Sequence, residues 1–127
     1  MINELAKQVH ENAKAHGFFD KEKNIGEMLC LIHSEVSEAL EADRKNKYAR
    51  TFDLRKLVYE GRTWNDSPRS FEMEFETNVK NSFEDELADI MIRVMDLAAF
   101  KRIDLDFHIK HKMEYNSRRE YKHGKKY

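Results

Sequence analysis

Two pairs of carboxylates carry most of the chemistry that this sequence offers. Glu35-Val-Ser-Glu38 and Glu86-Leu-Ala-Asp89 each set two acids three residues apart inside an apolar, helix-like pattern. Side chains three apart on a helix are neighbours, with Cβ atoms about 5–6 Å apart, so each pair points one way and can share an ion. Four carboxylates gathered from two packed helices repel one another unless a cation lies among them. Mg²⁺ suits such a set, because it takes oxygen ligands, keeps several waters and is commonly shared with substrate phosphates. No His stands three residues after any of the four acids, so the Glu-x-x-His pattern of di-iron bundles is missing. The lone Cys30 likewise leaves no thiolate set for Zn²⁺. Either pair alone is a weak motif, since acids on helices are ordinarily solvated.

The acids need two helices to carry them, and the periodicity supplies both. A segment over about Asn24–Asn46 has Leu29, Ile32, Val36, Ala39 and Leu40 as its main apolar stripe. Met28 and Leu31 start a second row beside it, which Glu35 and Glu38 continue at seven-residue spacing, so the first pair occupies a second packing seam. Another segment opens at Ser82-Phe-Glu-Asp85, a capping-box-like start with a short acid, and runs to about Ile103. Phe83, Leu87, Ile90, Met91, Val94, Leu97 and Ala98 form its stripe, and Ile92, Met95 and Ala99 make another side apolar as well. Only Glu86, Asp89, Arg93 and Asp96 remain as a narrow polar strip. A helix apolar nearly all round is a buried one, and a buried carboxylate without a partner is very costly. Arg93, one turn after Asp89, is the expected ion-pair partner for it.

Around these lie a first helix over Ile2–His16, ended by Gly17 at C′, and a last one from Leu105 to about Arg118, capped by Asp104. The stretch 47–81 is read as an insertion between the acidic helices. Leu54, Leu57 and Val58 suggest a short helix ending at Gly61. Phe71-Glu-Met-Glu-Phe75 alternates like a strand, but Ser67-Pro68 followed by Phe71, Phe75 and Val79 favours a helix. Trp64 is a candidate stacking surface for a base, with core or interface filling as the ordinary role of a lone Trp. His33 projects from another side of its helix than Glu35 and is read as structural.

Composition sets the frame. The chain has 127 residues, 40% of them hydrophobic and 37% charged, with four Gly, one Pro and a net charge of -1. So little turn material argues against an all-β fold, and the length suits one domain, 1–127. Charge is uneven: residues 101–127 hold nine Lys and Arg against four Asp and Glu, while the rest of the chain holds 14 against 20. An acidic body and a basic C-terminal arm fit a site in which the body holds cations and the arm an anion. In the arm, Lys112, Tyr115, Asn116, Arg119, Tyr121, His123 and Lys125 combine charges and hydrogen-bonding groups that grip phosphates. The ordinary alternative is a solvated basic tail over 119–127, expected to be irregular. Because the whole chain is not basic, nucleic acid is not the expected partner. Cys30 is read as a small packing residue. No apolar run has the length of a membrane span or a signal peptide, so the expected location is the cytoplasm.

Taken together, the blocks Ile32-His-Ser-Glu35-Val-Ser-Glu38-Ala-Leu-Glu-Ala, Phe83-Glu-Asp-Glu86-Leu-Ala-Asp89-Ile and Lys112-Met-Glu-Tyr-Asn116-x-x-Arg119-x-Tyr121-x-His123-Gly-Lys-Lys resemble the MazG-like family of all-α nucleoside triphosphate pyrophosphohydrolases. The likeness covers about residues 25–45 and 80–127. It implies an all-α fold, an antiparallel helical bundle of the all-α NTP pyrophosphatase type, assembled as a homodimer or homotetramer. It also implies Mg²⁺-dependent cleavage, with Mn²⁺ as a substitute, of a (d)NTP to the (d)NMP and pyrophosphate. By position, Glu35, Glu38, Glu86 and Asp89 would be the metal ligands, with Glu38 or Glu35 as catalytic acid–base groups. Lys112 and Asn116 would contact the nucleotide, and Arg119 and Lys125 the phosphates. The insertion at 47–81 departs from compact members of the family, so no role carries over to it. The other readings are a phosphoribosyl-ATP pyrophosphohydrolase-like enzyme and a non-catalytic helical module that binds a partner.

Overall fold

A computed structural model describes all 127 residues, Met1–Tyr127. The chain is entirely helical: α1 (Ile2–Ala15), α2 (Ile25–Arg44), α3 (Phe52–Tyr59), α4 (Pro68–Asn78), α5 (Phe83–Phe100) and α6 (Leu105–Ser117), then a 3₁₀ turn at Tyr121–Gly124. The insertion therefore forms two helices, and the alternation at Phe71–Phe75 makes no strand. No helix is long and apolar enough to cross a membrane.

Four helices stop in the same way. The N–H of the third residue past the end returns five residues back, and the N–H before it returns three, which is the Schellman arrangement. The residue whose N–H returns three must take a left-handed φ. Gly17 (φ 80) and Gly61 (φ 75) fill this position after α1 and α3, but Asn46 (φ 53) and Arg102 (φ 55) fill it after α2 and α5. The glycines are visible in the sequence as stop signals. Asn46 and Arg102 are not, so α2 and α5 end at Arg44 and Phe100, two and three residues before the expected ends at Asn46 and Ile103.

Helix starts are equally local. Ser82 Oγ accepts the Asp85 N–H at 3.3 Å, whereas the Asp85 carboxylate accepts from Asn81 N–H at 2.8 Å instead of from Ser82. The capping box thus reaches one residue further back than the standard form. Asp104 accepts the Phe107 N–H at 3.0 Å and caps α6 as expected.

By its internal contacts the chain divides into two compact units, one of Met1–Ile25 with Val94–Tyr127 and one of Gly26–Arg93. In the first, α1 and α6 cap each other. Asp106 accepts the Ile2 and Asn3 N–H groups at 3.1 and 3.2 Å, and the Asn3 side chain accepts from Asp106 N–H and donates to Asp104. His10 sits 4.6 Å from the Phe19 ring and bonds Asp96 through Nδ1 at 2.8 Å. Asp96 therefore already has a partner. Ala6, Met95 and Ala98 are this unit's buried apolar residues.

In the second unit, α3 and α4 pack on each other around Phe71, which is 1% exposed. Trp64 lies 5.3 Å from the Phe71 ring with about half its surface open. This hairpin is stitched to the start of α5: Phe83 N–H donates to Lys47 O at 2.9 Å and Ala49 N–H to Glu84 at 2.8 Å. The Tyr48 ring rests 5.6 Å from Phe83.

Burial on α2 departs from the sequence expectation. Met28, Glu35, Ala39 and Ala42 are the buried positions, so the inner row combines Met28 and Glu35 of the second seam with Ala39 of the main stripe, while Leu31 and Glu38 are exposed. Leu29, Val36 and Leu40, members of the expected main stripe, are exposed. At α5, Glu86 and the preceding Ser82 are buried while Leu87 and Met91 are open. Cys30 is exposed too, not packed. Small inward residues such as Ala39 and Ala42 let helices approach closely, and they leave no room for a stripe of leucines between them.

Candidate metal centre

The inner row of α2 runs 28, 35, 39, 42 and that of α5 runs 82, 86, 89, 93, both in the three-and-four rhythm of a helix face. Glu35 comes inward on the first row, Glu86 and Asp89 on the second. One carboxylate oxygen from each lies within 4.8 Å of the others, with Glu35 and Glu86 buried and Asp89 half-buried. Glu35 and Glu86 retain only 6% and 4% of their exposure.

Glu38 stands apart from this trio. It is exposed on α2 and accepts a long hydrogen bond, 3.4 Å, from Ser34 Oγ. Three residues of helix turn it about 60° from Glu35, enough to leave the inner row while still acting on it. Its charge is among those that bear on Glu86.

Arg93 is the basic group at the cluster. Its Nε donates to Glu35 Oε1 at 2.5 Å, bridging α5 to α2. The sequence suggested pairing with Asp89 on the same helix; the guanidinium instead crosses to Glu35, and no ion pair with Asp89 forms. Glu35 is thereby compensated. Glu86 and Asp89 are not, since no donor hydrogen-bonds to either carboxylate.

The electrostatics follow from this arrangement. Burial, then the charges of Glu38, Glu35, Asp89 and Asp85, push the Glu86 carboxyl above the usual carboxylate range. Burial, then Asp85 and Glu35, push Asp89 up as well, with the Arg93 charge acting the other way. Two acids that resist ionisation, a third tied to one guanidinium and a nearby fourth form a set that a divalent cation would relieve. The donors are all hard oxygens, which fits Mg²⁺ or Mn²⁺ and not a metal that prefers sulfur or imidazole. His33 is exposed on α2 and takes no part.

The four arm residues all belong to the first unit. Lys112 and Arg119 lie over the Tyr115 ring at 5.1 and 5.7 Å, and Arg119 also donates to His123 O at 3.2 Å. Asn116 is half-buried and Lys125 exposed. The expected irregular tail holds one turn, in which Lys122 and His123 both take φ 51.

Sequence reasoning missed the bridge from Arg93 to Glu35. The signal was present: Arg93 follows Glu86 by seven residues, two helical turns, and so shares its face. No family model, curated protein or solved structure matches this chain.

Proposed function

We propose that the protein is a Mg²⁺-dependent nucleotide pyrophosphohydrolase that cleaves a (d)NTP to the (d)NMP and pyrophosphate. The observation that carries this reading is Glu86: a carboxylate 4% exposed, without a hydrogen-bond donor, and within 4.8 Å of two further carboxylates. Leaving that charge uncompensated is expensive, and a hard divalent cation is the partner its surroundings fit. The order of the acid pairs and the basic C-terminal block, which resemble the MazG-like family, name the reaction.

In this reading Glu35, Glu86 and Asp89 would hold the ion, with Glu38 at the edge of the set. Mg²⁺ there, or Mn²⁺ in its place, would supply charge neutralisation on the phosphates and activation of a water. Glu38, exposed at the edge of the cluster and paired with no basic side chain, would be the group left to accept a proton from an attacking water, with Glu35 as the other acid–base group. By the resemblance alone, Lys112 and Asn116 would contact the nucleotide, and Arg119 and Lys125 the phosphates. The helices form a bundle of the all-α NTP pyrophosphatase type, and the open apolar faces of α2 and α5 suit assembly as a homodimer or homotetramer in the cytoplasm.

A panel of NTPs and dNTPs with Mg²⁺, assayed for pyrophosphate, tests the reading. Equimolar nucleoside monophosphate and pyrophosphate from at least one nucleotide, lost in Asp89→Asn, is the expected result. Turnover of phosphoribosyl-ATP alone would move the assignment to that substrate, and no pyrophosphate from any substrate would end it.

A further inference from the structure

Arg93 has more hydrogen-bonding capacity than its contact with Glu35 consumes. A guanidinium carries five N–H donors in a rigid planar fork, and Arg93 spends one of them, Nε–H, on Glu35. Neither Nη group has an acceptor in the protein. Asp89, one turn back on α5, is within easy reach of an arginine at i+4, yet the two form no ion pair. The exposures differ sharply as well: the Arg93 side chain is 39% exposed against 8% for Glu35. Arg93 thus has its Nε fixed on Glu35 and two Nη groups without an acceptor in the protein, on a side chain more than a third exposed.

We propose that Arg93 is a phosphate-contacting residue of the site, its Nε holding Glu35 while its two Nη groups take oxygens of the substrate's polyphosphate chain. The inference rests on the pyrophosphohydrolase reading and adds to it a residue placed by neither the acid pairs nor the basic arm. Arg93 is the one basic side chain in ion-pair contact with the three-acid cluster. Once a divalent cation joins them, the three carboxylates and the guanidinium carry no net charge together. A polyphosphate then meets far less repulsion, and finds a pre-oriented fork matched to two phosphate oxygens. Holding Nε on Glu35 also limits the rotamers that Arg93 must give up when the anion binds.

Calorimetric titration of the full chain separates this role from a purely structural one. The probes are Mg²⁺ alone, then inorganic tripolyphosphate on the Mg²⁺-saturated protein, with wild type, Arg93→Lys and Arg93→Gln. Arg93→Lys keeps the stem and the charge, so it remains informative if Arg93→Gln fails to fold. The expected result is Mg²⁺ affinity of Arg93→Lys within about 3-fold of wild type, with tripolyphosphate affinity about 10-fold weaker, because a point charge replaces a bidentate fork. In Arg93→Gln the tripolyphosphate loss should be larger still. Tripolyphosphate affinity unchanged in the variants while Mg²⁺ still binds would overturn the proposal and leave the metal site standing. So would a loss of Mg²⁺ affinity as large as the loss for tripolyphosphate, since Arg93 would then act only by positioning Glu35. No Mg²⁺ binding by wild type would remove both readings at once.

Discussion

Glu86 is the residue where the protein stores unfavourable charge. Its carboxyl is pushed upward by burial and by four neighbouring acids, so the folded chain holds that proton more tightly than the unfolded chain does. The stability linked to it is complete below the ordinary carboxylate pKa and is lost as pH rises through the raised folded value. Asp89 adds to this in the same direction. Glu86→Gln removes the charge and retains the shape, and its amide can donate to the neighbouring carboxylates. In the absence of divalent cation the variant should therefore melt higher than wild type at neutral pH, by about 1 kcal/mol or roughly 3–5 °C for a chain of this size. The gap should shrink as pH falls toward 4. Thermal melts of both proteins in EDTA across that range check the sign. The acids themselves were legible from spacing alone. Their unequal environments were not, because spacing fixes which residues share a face but not which row of a doubly apolar helix turns inward. Spacing therefore sets Glu38 beside Glu35 without showing that only Glu35 is buried, and sets Arg93 beside Asp89 without showing that it crosses to Glu35.

At the scale of elements, the helices and most of their starts could be read from the sequence. Asp104, Ser82, Pro68, Gly17 and Gly61 each act through a local preference that survives folding. The ends after α2 and α5 escaped because Asn46 and Arg102 adopt left-handed φ without a glycine, and little in the local sequence marks an arginine for that role. The insertion was the hardest part to read, since its 11-residue α4 carries Phe71 and Phe75 in a stretch that also alternates. What decides it is tertiary: Phe71 is the centre against which Trp64 and α3 pack. Phe71→Ala should then cost about 3 kcal/mol, and, because Trp64 is the only tryptophan, its fluorescence should shift to longer wavelength as its ring loses that support. Emission spectra and denaturant melts of the variant measure both effects. Unchanged emission would mean that the hairpin does not depend on this contact.

For the whole molecule, the open apolar faces are the main unfinished business of a single chain. Leu29, Val36 and Leu40 on α2, and Leu87 and Met91 on α5, are between 44% and 51% exposed, while residues as polar as Glu35 and Glu86 are buried. Soluble chains seldom leave contiguous apolar surface of this kind uncovered. A second copy of the chain is the partner that the proposed family membership supplies, and it would bury these residues against their own equivalents. Wild type should sediment as a dimer or tetramer at micromolar concentration, and the double variant Val36→Lys with Leu87→Lys should sediment as a monomer. A monomeric wild type would remove the oligomer from the proposal. The same stripes explain why α2 was expected to bury its leucines: periodicity reveals an apolar face, and whether its own chain or another copy covers that face is not encoded in the period.

The site itself is tested most directly by titrating Mg²⁺ calorimetrically into wild type and Glu86→Gln at pH 8, where the raised carboxyls of Glu86 and Asp89 are most fully ionised. Saturable binding to wild type, weakened about tenfold or more in Glu86→Gln, is the predicted result. No binding to wild type, or equal affinity in both proteins, would contradict the assignment of Glu35, Glu86 and Asp89 as a divalent-cation site.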